Sequence, residues 1–301
     1  MGNEFTKPHA CPACGSVFFQ RWRKGQVNHS RICPDDIKIT DKEYGRTWDL
    51  SRCSRCDHIF ADPMPTSAFI NRLYSRIEDP LYQEESQGRE KNFDPILTFL
   101  GKLHLQRGRL FDVGAATGIL LNSALQRGWT PDGVDPSAWA VNTAAENYGL
   151  VIRQGNFETA SLPGSTYTAV TMIDFIEHIP RPGNALAKAG RILTSEGTLC
   201  LVTPDVSSFL SKAAGKKWWH FRPAHLHYFN PRSLVFLLRK NGFTILKIRR
   251  YAWTFSAYYL ISRLPWLNFL LENKELASFW KSIPIKLALG DSLEVYARKM
   301  K

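Results

Sequence analysis

From about residue 105 onward, short apolar runs of strand length alternate with longer stretches that carry an apolar stripe at helical spacing. Leu110 and Phe111 read as a strand ending in Asp112, followed by a turn of small residues and a helix whose apolar side is Leu120, Leu121 and Leu125. A second strand over 129–135 ends in Asp135, a third stops at Gln154, and a fourth covers 168–173. A helix over 183–193, a strand over 197–203, a helix over 231–241, a strand over 243–250 and a last strand over 292–299 complete the series. Strand and helix in regular alternation predict the α/β class, with a doubly wound sheet.

The apolar and aromatic stretch 251–271 is interrupted by Arg263, Pro265 and Asn268 and reads poorly as a spanning helix. A lid, a dimer face or a membrane-surface helix all fit it. The length of 301 residues suffices for one large domain with a small accessory module. The polar start, with no apolar signal core, sets the expectation of a cytoplasmic protein. Net charge is +12 and unevenly spread, for 205–250 holds ten Lys and Arg against the single acid Asp205. Such a field suits anionic partners: a phosphorylated small molecule, RNA, or an anionic membrane at the inner face, where peripheral contact is expected if the apolar stretch lies alongside.

Before residue 63 the chemistry is that of cysteine. Cys11-x-x-Cys14 and Cys53-x-x-Cys56 are two pairs that each aim two thiolates at one point, the construction of a tetrahedral zinc site. Four thiolates close the coordination sphere, so this zinc would be structural. Val17, Phe18 and Phe19 on one side and Thr47, Trp48 and Leu50 on the other are expected to form strands flanking the metal, a zinc-ribbon-like module with a long insert. Cys33 and His29 fall within that insert, and Cys200 sits in an apolar run that reads as a buried strand. The expected division is a module over 1–62, a helical linker or lid over 63–104, and a main domain over 105–301 with insertions at about 205–230 and 252–290.

The turn Gly114-Ala-Ala-Thr-Gly118 lets a backbone approach a ligand, and Asp135 stands about twenty residues later, where a carboxylate reaches ribose hydroxyls. A dinucleotide fingerprint needs Gly-x-Gly-x-x-Gly to seat a pyrophosphate on the helix N-terminus, which this turn does not carry, and the acid Asp112 before it suits a cationic ligand better. Phe111-Asp-Val-Gly-Ala-Ala-Thr-Gly118 resembles motif I of the S-adenosylmethionine-dependent methyltransferases, and the later segments follow that family's order. The resemblance implies a Rossmann-like seven-stranded sheet with the last strand antiparallel between its neighbours. It also implies cofactor contacts from Asp112, Gly114, Ala116, Gly118, Asp135, Asn156, Phe157 and, in the loop facing the methyl group, Asp174. The family commonly carries Gly at the position of Ala116 and an acid at that of Asn156.

Methyl transfer requires alignment, exclusion of water and, for a hydroxyl or acidic carbon, a base. His178, in the methyl-facing loop, is one candidate; Glu177-His178 is common among relatives of the ubiquinone-type O-methyltransferases. His225 and His227, which share a face of an extended segment, are the others. Methyltransferases with a similar His-Leu-His-aromatic run act on sugars, so the expected acceptor is a small molecule, a sugar or nucleotide-sugar, or a lipid-linked glycan. Two rival readings are an RNA methyltransferase that uses the cysteine module and basic surface, and a cofactor-binding scaffold without turnover.

Overall fold

The computed structural model describes residues 4–38, 40 and 44–300. Seven strands form the central sheet: β1 (Gly108–Val113), β2 (Trp129–Asp135), β3 (Arg153–Gln154), β4 (Tyr167–Ile173), β5 (Leu193–Pro204), β6 (Phe243–Arg250) and β7 (Ser292–Lys299). Their order across the sheet is β6-β7-β5-β4-β1-β2-β3. Strands β1 to β5 pair in parallel, and β7 runs antiparallel to both β5 and β6. This is the Rossmann-like arrangement that the alternating pattern and motif order led us to expect.

Parallel neighbours cannot be joined by a tight hairpin, so helices cross between them. Ile119–Leu125 links β1 to β2, Ala138–Tyr148 links β2 to β3, and Pro182–Ile192 links β4 to β5. Local signals set their ends. Ser137 caps the second helix by accepting from the Ala140 amide, and Gly149 closes it in the left-handed conformation that spares glycine a Cβ clash. Strand β5 begins at Leu193, four residues before the expected start, with an irregularity in its pairing between Leu193 and Thr198. Cys200 is fully buried in it, as its apolar run suggested.

Strands Phe19–Arg23, Leu50–Cys53 and Ile59–Ala61 form an antiparallel sheet beside the cysteines, and a fourth strand, His227–Tyr228, joins it by pairing with Ile59 and Phe60. Val17 and Phe18 lie outside the strands and are exposed. Trp48 is fully buried, its indole N–H donating to the Pro223 carbonyl at 2.7 Å. One apolar core therefore runs from Leu50 and Phe60 to Leu226 and Leu199. Helices Ser67–Tyr74, Pro80–Glu84 and Ser86–Leu103 lead from this sheet to β1. After β6, the hairpin of Trp253–Ser256 with Pro284–Leu287 encloses Ala257–Ser262, Pro265–Leu271 and Lys274–Ser282. Among the described residues no helix is long and apolar enough to cross a membrane.

Candidate active site

In this strand order the chain leaves β1 toward one edge of the sheet and reaches β4 on the other side. A crevice therefore opens where their carboxyl ends diverge, the place where open α/β sheets bind ligands. Asp112 near the end of β1, Asp135 at the end of β2 and Asp174 just after β4 all arrive there. Two cavities that share Tyr82, Gly114, Ala116 and Asp174 fill the crevice. Between them they expose Asp112, Gly114, Ala116, Asp135, Asn156, Phe157, Asp174 and His178. Gly118 is not among the lining residues: a Cβ there would come within 3.0 Å of the Ala144 Cβ, so this glycine serves its left-handed turn and the packing beneath it.

The turn is shaped by hydrogen bonds to Asp135. Its Oδ2 accepts from the Ala116 amide at 2.8 Å and its Oδ1 from the Ser137 amide at 2.9 Å. Ala116 is held at φ 46°, a region an L-residue enters at a cost of ~1–2 kcal/mol, which accounts for the family's preference for glycine. Burial raises the Asp135 carboxyl to about 6 and the Asp112 carboxyl to about 7, the latter against a short bond from the Thr171 hydroxyl at 2.6 Å. Asn156 turns its side-chain oxygen to the Glu158 amide at 2.8 Å, and Phe157 is buried against Phe111 and Phe175.

On the other side of the turn, Asp174 sits at φ 47°, is raised to about 7 by burial, and has an Oδ1 with no hydrogen-bond partner among the described residues. Next along this loop, His178 Nδ1 lies 2.9 Å from the Ala224 carbonyl and 2.8 Å from the Tyr74 hydroxyl. When Nδ1–H donates to that carbonyl, Nε2 keeps its lone pair. Burial, reinforced by the Arg222 charge, lowers His178 to about 3, so the ring is neutral at ordinary pH. Helices Ser67–Tyr74 and Pro80–Glu84 close the cavity with Ile70, Tyr74 and Tyr82, leaving a mainly apolar chamber beside Asp135.

A methyltransferase domain model matches residues 82–248, more than half of the chain. The chain belongs to this methyltransferase family. Ubiquinone biosynthesis O-methyltransferases are among its relatives. The one from Burkholderia orbicola is 25% identical over 160 residues, covering 48% of this chain and 68% of the relative. That from Burkholderia pseudomallei is 24% identical over 164 residues, covering 50% and 70%. Among solved structures, an S-adenosylmethionine-dependent methyltransferase from Thermotoga maritima covers 73% of this chain and 92% of its own, at 19% identity and a TM-score of 0.47.

S-adenosylmethionine is the methyl donor that motif I implies, and the residues of the crevice fit that molecule. The cofactor carries a sulfonium and an ammonium at one end and ribose hydroxyls at the other, and this crevice offers buried carboxylates toward both. Its carboxylate needs a cation, which the motifs did not supply. Arg89, on helix Ser86–Leu103, lines the cavity with Asp112 and Asp174, stacks on Tyr82 at 3.6 Å, and has a buried Nε without a partner. It is a candidate for that role which no sequence signal marked, because the helix reaches the crevice only through the tertiary fold.

The three histidines expected to face the acceptor do not share one surface. His178 lines the cavity. His225 packs edge-on behind it, with ring centroids 4.7 Å apart, and stacks with His220. His227 points the other way. Its Nδ1 meets His58 Nε2 at 3.1 Å and its Nε2 meets the Ile179 carbonyl at 3.0 Å. The strand pairing of His227 with Phe60 fixes that direction, so the common face expected for His225 and His227 does not form a working surface. Glu177 is buried, accepts from Thr203 at 3.0 Å, and is raised well above the usual carboxylate range by burial.

Glu177, His178 and His225 present possible ligand atoms within 4.8 Å of one another, as do the four cysteines. In the cysteine cluster Cys11 and Cys56 sulfurs are 3.7 Å apart and those of Cys14 and Cys53 are 3.6 Å apart. Four sulfurs at ~2.3 Å from a zinc ion in a tetrahedron stand ~3.8 Å from each other, so the cluster fits that ion. Cys33 is exposed and outside the cluster, and His29 stacks on Phe5 at 4.5 Å.

Proposed function

We propose that this methyltransferase moves the methyl group of S-adenosylmethionine to a hydroxyl of a small acceptor seated beside Tyr74, Phe175 and His178. The observation that carries this reading is His178: a neutral imidazole on the cavity wall, its Nδ1 held by the Ala224 carbonyl and its Nε2 3.9 Å from the buried Glu177 carboxyl, which would stabilise the ring once it takes a proton. Asp135 would hold the ribose, Asp112 and Arg89 the amino-acid part, and Asp174 would face the sulfonium. When bound, S-adenosylmethionine would supply the methyl group, and His178 would take the proton that the acceptor hydroxyl gives up. The relatives named for ubiquinone biosynthesis support an O-directed reaction and a small-molecule acceptor, for which a sugar, nucleotide-sugar or lipid-linked glycan is our reading.

In the same proposal the four cysteines hold one zinc ion that supplies no chemistry and fixes the acceptor side of the cavity. The loop after β5 rests on that module: Asn230 Nδ2 donates to the Cys56 carbonyl at 3.1 Å, Trp48 donates to Pro223, and Arg222 donates to the Lys38 carbonyl. The test is a comparison of His178→Ala with His227→Ala in transfer of labelled methyl to an extract. A base typically contributes ~10²–10⁴ in rate, so His178→Ala should lose that much at unchanged S-adenosylhomocysteine affinity. Equal activity in His178→Ala and the unaltered protein would remove His178 from the mechanism.

A further inference from the structure

The basic stretch after β5 divides once it folds. Arg249 pairs with Glu294 at 2.5 Å, Arg250 pairs with Asp205, and Arg222 donates to the Lys38 carbonyl. Lys212, Lys216 and Arg232 do something else. They line a groove of about 820 Å³ between the cysteine module and the main domain, facing Arg23, Arg52 and Trp22 on the ribbon strands. None of the lining residues is shared with the cavities of the active site.

The lining contains five cations and one carboxylate, Asp57, which Arg52 already engages at 2.8 Å. Among the described residues Arg23, Lys212, Lys216 and Arg232 have no acidic partner. Arg23 is the informative member. One guanidinium nitrogen donates to the Gly45 carbonyl at 2.8 Å, while Nε and the second terminal nitrogen are buried with no acceptor. Buried guanidinium donors left unpaired cost free energy until an anion reaches them. The same guanidinium lies 4.9 Å over the Phe221 ring, and Trp22, 40% exposed, is tilted against Phe221 with centroids 6.0 Å apart. The groove thus offers positive charge on several sides and an accessible indole at one wall, in a volume of the size that holds a small organic ligand. Pyrophosphate alone would use the charges and leave the indole bare.

We propose that this groove is a binding site for a nucleoside-diphosphate group, with the phosphates among Arg23, Lys212, Lys216 and Arg232 and the base against Trp22. The site is separate from the acceptor chamber and does not depend on the acceptor proposed above.

The test uses the full chain saturated with S-adenosylhomocysteine, so that the cofactor cavity is occupied, and follows uridine diphosphate, uridine and inorganic pyrophosphate by calorimetry. Uridine diphosphate should bind at least a hundredfold more tightly than uridine. The double variant Lys212→Glu, Lys216→Glu should weaken it at least tenfold, with S-adenosylhomocysteine affinity within twofold of the unaltered protein as the check on folding. Trp22→Ala should weaken uridine diphosphate and leave pyrophosphate unchanged. The proposal is overturned if uridine diphosphate binds no better than uridine, or if the lysine variant binds it as well as the unaltered chain. It is also overturned if a single-stranded RNA oligomer displaces the nucleotide at a hundredfold lower concentration with a steep salt dependence, since the groove would then serve RNA.

Discussion

Replacing Asp135 by Asn tests the cofactor site at its most constrained point. The carboxylate takes one amide proton on each oxygen, from Ala116 and Ser137, and is 8% exposed. An Asn side chain keeps one acceptor and turns an NH₂ toward the other amide, so one buried donor is left without a partner, at ~1–3 kcal/mol. That cost falls on the fold of the turn. The cofactor loses more, because a hydrogen bond from a ribose hydroxyl to a charged acceptor contributes ~1.5–3 kcal/mol. Asp135→Asn should therefore weaken S-adenosylhomocysteine by roughly 10- to 150-fold, since ~1.4 kcal/mol is a factor of ten. Calorimetric titration measures the affinity, and a thermal melt of the same sample shows that the variant is folded. A folded variant whose affinity lies within threefold of the unaltered protein would refute the assignment of the ribose to Asp135.

Acid should weaken the cofactor as well. Asp135 at about 6 and Asp112 at about 7 are raised by burial, so in the empty protein each takes up a proton as pH falls through its value, and the cofactor binds the ionised forms. From Asp135 alone, affinity should fall about fourfold between about pH 8 and about pH 5.5, and Asp112 adds to this; titrations at the two pH values that agree would contradict the picture. Arg89→Met should cost S-adenosylhomocysteine roughly 10- to 100-fold by leaving its carboxylate unpaired, and an unchanged dissociation constant would take Arg89 out of the site. If zinc is structural, its removal by a chelator, or Cys53→Ser, should lower the melting temperature and turnover together, and metal analysis should return one ion per chain; a chain that keeps its melting temperature after loss of metal would count against this role. Trp266 and Phe279 are 71% and 53% exposed on the insertion after β6, and we propose that they rest on a lipid surface. Trp266→Glu with Phe279→Glu should then abolish sedimentation with anionic vesicles, and vesicles that never retain the unaltered protein would end that proposal.

The meeting of Asp112, Gly114, Ala116 and Asp135 at the crevice was legible because their placement is local. A strand, a small-residue turn and an acid at the end of the next strand fix their own geometry within about thirty residues of sequence. The cysteines were legible for a similar reason, since each pair is a tight turn and only the meeting of the pairs needed the fold. Arg89 was not, because its place depends on how helix Ser86–Leu103 lies across the crevice. Nor was the direction of His227: alternation assigns neighbours to opposite faces without saying what each face meets, and it is the pairing with Ile59–Ala61 that turns this ring to His58. Gly118 carried the right conformational signal, and its environment proved to be the Ala144 side of the following helices rather than the cavity. The basic stretch was visible as charge alone. Its separation into paired, buried and groove-lining members needed strand partners more than forty residues away, such as Glu294 for Arg249.

The most direct test of the account supplies methyl-labelled S-adenosylmethionine and the purified chain to a cell extract, with parallel samples treated with RNase or partitioned into organic solvent. Label should appear in an RNase-resistant, small-molecule or lipid fraction, and at S-adenosylmethionine concentrations well below saturation it should fall roughly 10- to 150-fold with Asp135→Asn. Label that disappears after RNase, or transfer that the Asp135→Asn chain performs equally well, would contradict it.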